Sequence, residues 1–511
     1  MKPNVRRPPA YRILVFNQNG TAARPLGPYI KARFGWFWQV PGTGTIQVKA
    51  DHPLAARLMQ CKRDVVPIRA YYNGTEWEGR VMHAEIEGEP GNEIVTATCI
   101  GNLFWLATIL GWVNPLFPPS VQVGLTGKQD VMFGPLDFVF KYFLARNAIR
   151  QQKPIHMALP IRYDIPEPPD LDDFASIDAV IRYITGLGDD LVILSSRFTR
   201  LDELFAQTLN STEIGMSMKM HIPALDGPSP QVFNVDTLGR LQNILNLSRD
   251  NFLWFTNPNN ILGLADPSTW NKVTAPGFIF DTHKKRDRTH MIWRTSNGQI
   301  KWYKRGVDHP TATSAIVGGK APEFLNDLVE WGANLAIKAI LNAIAPGLNL
   351  GEILIGDLLD DIFFAYQRFN DLELRDDLGP WGFGEVFADN SGAWTLDAFA
   401  VGFEALKAAG PQESLKLQVQ SGGPDGRGFS FGADDGSGTR FLVGDIMTFW
   451  DRGTMIQDYV SGVEVEDSRG EFCTEYITIG DDKAIKDGWA QLVDRIKVLS
   501  SLSRAAANST N

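Results

Sequence analysis

The amino-acid sequence predicts a β-rich α+β protein built from several units. Two observations favour strands: apolar and polar residues alternate near both ends of the chain, and 48 glycines and 30 prolines among 511 residues supply many turns. A third observation adds helices, because apolar residues in the middle of the chain recur at spacings of three and four. At roughly 150 residues per domain, the length fits about three domains.

Residues 1–123 are predicted to form a small antiparallel β-barrel. Ile46 and Val48 alternate with polar neighbours, which is the pattern of a half-buried strand. Asn73-Gly74 is a typical two-residue turn between two strand-like runs. A short helix over residues 102–110 is expected to follow the last strand of this unit.

Residues 124–310 are predicted to form an α+β middle domain. Pro135 is an acceptable first residue of a helix, and the apolar residues after it recur at helical spacing. Farther along, Ser296-Asn297-Gly298 lies between two strand-like runs, His290–Arg294 and Gln299–Lys304. Because asparagine followed by glycine favours a tight turn, we expect these two strands to pair as a hairpin.

Residues 311–411 are predicted to be a helical insertion that contains two amphipathic helices. The first begins at Pro322, and the second ends at Phe369. Each carries an apolar stripe that must be buried against another surface. The stripe residues that we expect at an interface between subunits are Phe324, Leu328, Trp331, Leu358 and Ile362.

Residues 412–482 are predicted to form a second β-rich unit, and residues 483–511 a C-terminal helix and tail. In the β-rich unit, Val463 and Val465 alternate with glutamates. The C-terminal helix has an apolar seam that steps by four and three residues, the spacing of helices that pack against each other. Its expected interface residues are Trp489, Leu492 and Ile496.

Charge and cysteine content exclude several classes of protein. The chain has 49 basic and 59 acidic residues, a net charge of −10 and an isoelectric point near 5.3. Proteins that coat nucleic acid are usually basic, so we expect no sequence-specific nucleic-acid binding. Three cysteines without a CxxC spacing predict neither a disulfide framework nor a zinc site. The sequence shows no signal peptide and no run of 18 apolar residues, which favours synthesis in the cytoplasm and no membrane-spanning helix.

No motif of a known catalytic centre is present in the sequence. Gly124–Lys128 resembles a phosphate-binding loop, but Gln129 stands where Ser or Thr must hold magnesium. The run Asp281–His290 is interpreted as a basic turn, better suited to pairing with an acidic neighbouring subunit than to binding a metal. Paired aspartates recur without any sign that two carboxylates face each other across a substrate. We therefore expect no catalytic residue, no cofactor and no metal. The pairs are Asp189-Asp190, Asp360-Asp361, Asp376-Asp377, Asp434-Asp435 and Asp481-Asp482.

The most apolar part of the chain is Leu335–Phe364. Pro346-Gly347 divides it into two helices, each too short to cross a bilayer of about 30 Å. We interpret it as a helical hairpin that is buried within the protein or against sister subunits. A transient contact with the host membrane remains the alternative, since helices that lie on a membrane have a similar composition.

Several segments resemble the minor tail proteins of long-tailed phages of actinobacteria. The most specific resemblance lies in residues 313–406. Three segments in this range carry it: Thr313–Gly332, Phe363–Phe369 and Gly379–Leu406. Phe441–Val465 resembles the second barrel of the same family. The order of strands near the N-terminus follows the family pattern as well.

The resemblance implies a hub at the tail tip, or baseplate, with a fold similar to the central hub of contractile phages. Such a hub is a homotrimeric ring in which two small antiparallel β-barrels per chain, with α+β and helical insertions, alternate around a central channel. The implied partners are the distal tail protein ring, the tape-measure protein and other minor tail or receptor-binding proteins. The implied role is structural: the hub joins the tail tube to host-recognition components in the virion and lines or caps the channel for DNA ejection.

The acidic composition agrees with such a conduit, since negative walls repel phosphate. The alternative function is a carbohydrate-binding or cell-wall-hydrolysing tip protein that engages the host envelope directly. A cleft with paired carboxylates would favour that alternative, whereas large apolar interfaces between subunits would favour the hub.

Overall fold

The computed structural model shows a β-rich α+β fold. Strands near both ends of the chain combine into one large sheet, and a smaller α+β unit packs beside it. The structure describes residues 10–114, 119, 130–158, 191–209, 214–230, 232–233, 270–271, 273–318, 366–389, 405–406, 409–423, 428–469 and 473–480.

The N-terminal unit consists mainly of antiparallel strands, as predicted. Asn73 and Gly74 both have positive φ angles, 43° and 77°, and connect two strands in the expected tight hairpin. The elements are β1 (Arg12–Phe16), β2 (Ala23–Pro25), β3 (Lys31–Phe37), β4 (Thr43–Lys49), α1 (Ala55–Leu58), β5 (Pro67–Tyr72), β6 (Thr75–Glu87) and β7 (Ile94–Gly101).

The predicted short helix after β7 is a 3-10 helix over Asn102–Thr108. Its buried apolar residues Leu103 and Leu106 are three positions apart, a spacing that the three-residue turn of a 3-10 helix places on one side.

The middle domain packs two helices against a three-stranded sheet, whose strands in order are Ile155–Met157, Gly277–Lys284 and Ile214–His221. The rings of Phe140 and Phe205, one from each helix, stack with centroids 4.1 Å apart. The elements are β8 (Leu110–Gly111), β9 (Asp130–Pro135), α2 (Leu136–Arg150), β10 (Ile155–Met157), β11 (Leu191–Ser196), β12 (Thr199–Arg200), α3 (Leu201–Leu209), β13 (Ile214–His221), α4 (Pro223–Asp226), β14 (Val232–Phe233), β15 (Trp270–Asn271) and β16 (Gly277–Lys284).

The two strands around Ser296-Asn297-Gly298 do not pair with each other, so the predicted hairpin is wrong. The strands are β17 (Arg286–Arg294) and β18 (Ile300–Asp308), and a 3-10 helix over Thr295–Asn297 connects them. Each strand finds its partner among C-terminal strands that lie more than 100 residues away, and local turn chemistry carries no information about such partners.

The described part of residues 311–411 contains a three-stranded sheet and a short helix. Phe369, which we expected at the end of a helical stripe, lies in a strand. Here the strand pairs with the segment at residues 314–318, and this pairing overrides the helical spacing. The elements are β19 (Ser314–Gly318), β20 (Tyr366–Asn370), α5 (Leu372–Leu378) and β21 (Glu385–Asp389).

The C-terminal strands complete the large sheet. The elements are β22 (Gln412–Gln420), β23 (Ser430–Phe431), β24 (Arg440–Phe441), β25 (Asp445–Asp451), β26 (Thr454–Ser468) and β27 (Thr474–Gly480). The sheet has thirteen strands, with the path β18-β22-β27-β26-β3-β4-β7-β6-β5-β1-β2, and β25 and β17 branch from β26.

Two separate barrels are not found among the described strands. Gly462–Ser468 of β26 pairs with Lys31–Phe37 of β3, so the two predicted β-rich units share one sheet and one hydrophobic core. No pairing between described strands closes this sheet, because β18 and β2 stand at its two ends. Alternation correctly identified the strands and their buried faces, but it does not specify which strands become neighbours.

Residues 335–364 and the C-terminal helix expected from residue 483 lie outside the described residues. Within the described part of the chain, no helix is long and apolar enough to cross a membrane.

Candidate assembly surfaces and buried ionic contacts

The residues predicted to form an interface all lie outside the part of the chain that the structure describes. They therefore stay predictions, and the described surfaces supply other candidates. The predicted residues are Phe324, Leu328, Trp331, Leu358, Ile362, Trp489, Leu492 and Ile496.

One side of the large sheet carries mainly polar side chains, with Phe37, Ile94 and Ile100 among them, and we call it the polar face. It extends across seven adjacent strands, β22-β27-β26-β3-β4-β7-β6. The opposite side of the same strands carries apolar residues that are buried in the core, so the polar face follows directly from alternation along each strand. The side chains on the polar face include Gln418, Tyr476, Glu464, Arg33, Thr45, Thr98 and His83.

The charges at the centre of the polar face are paired. Arg33 on β3 lies 2.7 Å from Glu464 and 3.5 Å from Glu466, both on β26. Lys31 lies 2.8 Å from Glu466, and the guanidinium of Arg33 lies 5.0 Å from the ring centroid of Tyr476. This part of the surface is therefore polar with balanced charge, and the acidity of the chain is not concentrated there.

An ionic joint, formed by the buried Arg69 and Glu78 and the partly exposed Asp226, connects the large sheet to the middle domain. Arg69 on β5 is fully buried, and its Nε lies 2.6 Å from Oε1 of Glu78 on β6. Arg69 Nη2 donates to Oδ2 of Asp226 on α4 at 3.0 Å and to the carbonyl oxygen of Met220 on β13 at 2.6 Å. The Met220 N–H donates to Glu78. Charge-assisted hydrogen bonds thus attach the middle domain to the sheet.

The sequence analysis did not predict this joint, although the sequence does indicate the pairing of Arg69 with Glu78. Arg69 and Glu78 are equally distant from the Asn73-Gly74 turn, so the register of a two-residue hairpin places them opposite each other, as observed. Asp226 is 157 residues away from Arg69, and nothing in the sequence marks it as a partner. Burial raises the pKa of Glu78 to about 7, and the charge of Arg69 opposes that rise.

Glu475 is a carboxylate inside the core of the large sheet. The side chain is fully buried on β27, on the same side as Ile477. The hydroxyl of Tyr72 donates to Glu475 Oε1 at 2.8 Å, and the N–H of Phe431 lies 3.2 Å from each carboxylate oxygen. Burial raises the pKa of Glu475 to about 7, and these hydrogen bonds oppose the rise. The group therefore changes charge near neutral pH.

The run Asp281–His290, which we expected to be a basic turn, lies in β16 and β17 except for Lys285, and its two arginines are tied to the same chain. Arg286 donates two hydrogen bonds, of 2.6 and 2.8 Å, to the fully buried carboxylate of Asp445. Arg288 donates to Asp434 Oδ2 at 2.7 Å. The expectation that this run pairs with an acidic neighbouring subunit is wrong for both arginines, because Asp445 and Asp434 neutralise them within the chain.

The described aspartate pairs show no catalytic arrangement. Asp435 accepts hydrogen bonds from Ser437 and Arg440, which lower its pKa to about 2. Asp376 and Asp377 are exposed on α5. Among the residues that the structure describes, no group of three histidines, cysteines or carboxylates converges in a way that could hold a metal ion.

Comparison with known protein families identifies the chain. Residues 12–481 match the family described as Siphovirus ReqiPepy6 Gp37-like protein, which covers most of the sequence. The chain belongs to this family. Membership confirms the resemblance to siphovirus tail proteins.

Three solved structures of tail proteins have distant similarity to this chain. The 43 kDa tail protein of prophage MuSo2 from Shewanella oneidensis aligns over 93% of this chain and 100% of its own, with 7% identity and a TM-score of 0.46. A tail protein from Neisseria meningitidis MC58 aligns over 93% and 98%, with 8% identity and a TM-score of 0.43. Prophage tail protein gp18 from Listeria monocytogenes EGD-e aligns over 95% and 99%, with 9% identity and a TM-score of 0.41. No curated protein matches the sequence.

Proposed function

We propose that this siphovirus tail protein is the hub of the tail tip. Three copies form a ring that joins the distal tail tube to the host-recognition components, and the polar face of each copy lines the channel through which DNA leaves. The observation that carries the proposal is the polar face itself: strands from both ends of the chain build one wide polar surface, and its reverse side is the main core.

The width and charge of the polar face fit a DNA channel. Seven strands spaced by about 4.8 Å extend across roughly 30 Å, so three copies enclose a circumference of about 90 Å and a diameter of about 30 Å. DNA must pass such a wall without being held, which requires that cations be neutralised. Arg33 and Lys31, at the centre of the face, are both paired with glutamates.

The remaining parts of the proposal come from the sequence. The chain divides at residues 123, 310, 411 and 482, and the sheet shared by the first and fourth segments also includes β17 and β18 from the end of the second. The stripes that include Trp331, Leu358 and Trp489 pack between copies or against the distal tail protein, the tape-measure protein and the receptor-binding proteins. The location is the tail tip of the virion, after synthesis in the host cytoplasm.

A map of the intact tail tip tests the proposal directly. We expect three copies of this chain around the tail axis, with the polar face directed towards the axis. A different copy number, or a polar face directed towards the outside, would contradict it.

A thiol-labelling experiment provides an independent test. In a Cys61→Ser background, Thr98→Cys places a thiol on an exposed position of the polar face, and Lys62→Cys places one on another exposed surface. Maleimide attached to a polymer of high molecular weight is expected to label both variants as purified protein. In virions it is expected to label Lys62→Cys and not Thr98→Cys. Equal labelling of both positions in virions would refute a channel-lining role.

A further inference from the structure

An exposed aromatic surface lies on the segment Asp371–Glu385, which we call the aromatic tip. Trp381 is 89% exposed, Phe383 60% and Leu372 56%. Large aromatic side chains at that exposure are costly to leave in water, and clusters of them on a soluble protein mark binding surfaces. Tryptophan in particular is enriched among the residues that dominate binding energy at protein interfaces.

The aromatic tip is held in a defined shape rather than left as a free loop. The Asp371 side chain accepts a hydrogen bond of 2.9 Å from the Leu374 N–H at the start of α5. The N–H groups of Thr313 and Ser314 donate to the carbonyl oxygen of Gly384 at 3.0 and 3.1 Å. Since the backbone on both sides of Trp381 is fixed, this segment loses little conformational freedom when a partner binds it.

The charge of the aromatic tip restricts the chemistry of its partner. Residues 371–385 contain five acidic side chains and one basic one, Arg375, so the segment has a net charge of −4. Asp376 is 81% exposed and lies 4.0 Å from Arg375, and all five acidic residues of the segment are exposed, so the net negative charge faces solvent. This field repels nucleic-acid phosphate and anionic lipid headgroups, and it attracts a surface rich in lysine and arginine. A basic protein surface satisfies both the aromatic side chains and the charge.

We propose that the aromatic tip docks a second, basic virion protein, which holds Trp381 and Phe383 in an apolar pocket surrounded by lysine or arginine. The inference rests on the proposed tail-tip role only in that the partner is sought among the proteins of the virion. A map of the tail tip tests that role, whereas the composition of variant particles tests the docking surface.

The test uses phage particles whose only source of this protein is a plasmid copy of the full chain. The variants are Trp381→Ala with Phe383→Ala, which removes the aromatic groups, and Asp376→Asn with Asp377→Asn, which reduces the charge. Trp302→Ala is the matched control, since Trp302 is 50% exposed on β18, outside the aromatic tip. Quantitative mass spectrometry gives the amount of every virion protein per copy of this chain, after washing at low and at high salt.

In particles that carry the aromatic variant, we expect the amount of one other virion protein per copy of this chain to fall at least tenfold, while the copy number of this chain stays unchanged. In particles that carry the Trp302→Ala control, we expect no virion protein to be lost. The charge variant is expected to lose the same protein more readily than the wild type, and high salt is expected to weaken its retention in wild-type particles. Particles that keep every protein would overturn the proposal. Retention that does not respond to charge or salt would overturn the assignment of a basic partner.

Two further measurements distinguish other occupants of the aromatic tip. If the aromatic variant loses copies of this chain, or if purified variant protein melts more than about 5 °C below the wild type, the surface is covered by this chain itself and the proposal fails. Vesicles of phosphatidylcholine and phosphatidylglycerol at a ratio of three to one serve as the membrane probe. If the wild type floats with these vesicles and the aromatic variant does not, the aromatic tip binds a membrane rather than a protein, and the proposal of a protein partner fails.

Discussion

The buried carboxylate of Glu475 leads to a prediction about stability and pH. Replacing it with glutamine keeps the shape of the side chain and removes its ability to ionise. The amide fits the site if the Tyr72 hydroxyl turns to donate to Ser421 Oγ, which lies 3.0 Å away, and accepts from the new NH2 group. The Phe431 N–H then donates to the amide oxygen.

The magnitude follows from the pKa of Glu475, which burial raises from 4.5 to about 7. A raised pKa means that the folded state binds the proton more tightly than the unfolded state does. The stability from this proton is fully present below pH 4.5 and is lost as the pH rises through 7. The difference of about 2.5 pKa units corresponds to roughly 3 kcal/mol. Wild-type protein is therefore expected to lose about that much free energy of unfolding between pH 4.5 and pH 8, through this group alone.

The assay compares urea unfolding of wild type and Glu475→Gln at pH 5, 6, 7 and 8. Other carboxylates, including Glu78, titrate in the same range, so the quantity of interest is the difference between the two proteins at each pH. We expect the variant to gain stability relative to wild type by about 2 to 3 kcal/mol between pH 5 and pH 8. Glu87→Gln is the control, because Glu87 is exposed at the end of β6 and its replacement should produce no such trend. A difference that is constant with pH, or that falls as the pH rises, would refute the reasoning.

Three other predictions follow from the described contacts and from the family. Arg69→Met leaves the buried carboxylate of Glu78 and the partly exposed carboxylate of Asp226 without their cation, so we expect a loss of about 3 to 5 kcal/mol in urea unfolding; a loss below about 1 kcal/mol would show that the ionic joint does not hold the middle domain. Gly444→Ala places a methyl group 1.9 Å from the ring of Trp38 at a residue with φ of +91°, so a drop of several degrees in melting temperature is expected, and an unchanged melting curve would contradict the packing. Purified protein is expected to release neither sugars nor peptides from host cell walls; turnover that disappears on replacing an aspartate pair would revive the alternative function.

The ionic joint has a consequence for how the two parts of the protein hold together. The large sheet and the middle domain each have their own hydrophobic core, and a small apolar cluster, Leu14, Phe16, Met220 and Ile222, lies between them. The ionic joint adds polar contacts to this boundary, and buried polar contacts are strong only when every partner is present. Loss of one member of the joint is expected to loosen the middle domain before either core unfolds.

The local pattern of the sequence determined a large part of this protein. Alternation at Val463 and Val465 correctly predicted a strand with one buried face, and Asn73-Gly74 predicted a tight hairpin that also contains the register of Arg69 and Glu78. The motifs at residues 313–406 and 441–465 predicted the family that the comparison confirmed. These features depend on neighbours in the chain, and local sequence contains the relevant information.

Only the tertiary structure decided how distant segments combine. The pairing of β3 with β26, more than 400 residues apart, turned two expected barrels into one sheet, and the separate partners of β17 and β18 removed an expected hairpin. Glu475 occupies a core position that alternation alone would assign to an apolar residue. The carboxylate is accommodated there because Tyr72 and Phe431, from distant parts of the chain, donate hydrogen bonds to it. The physical reason is the same in each case: hydrogen-bonding edges and hydrophobic faces are generic, so which of them meet depends on the packing of the whole chain.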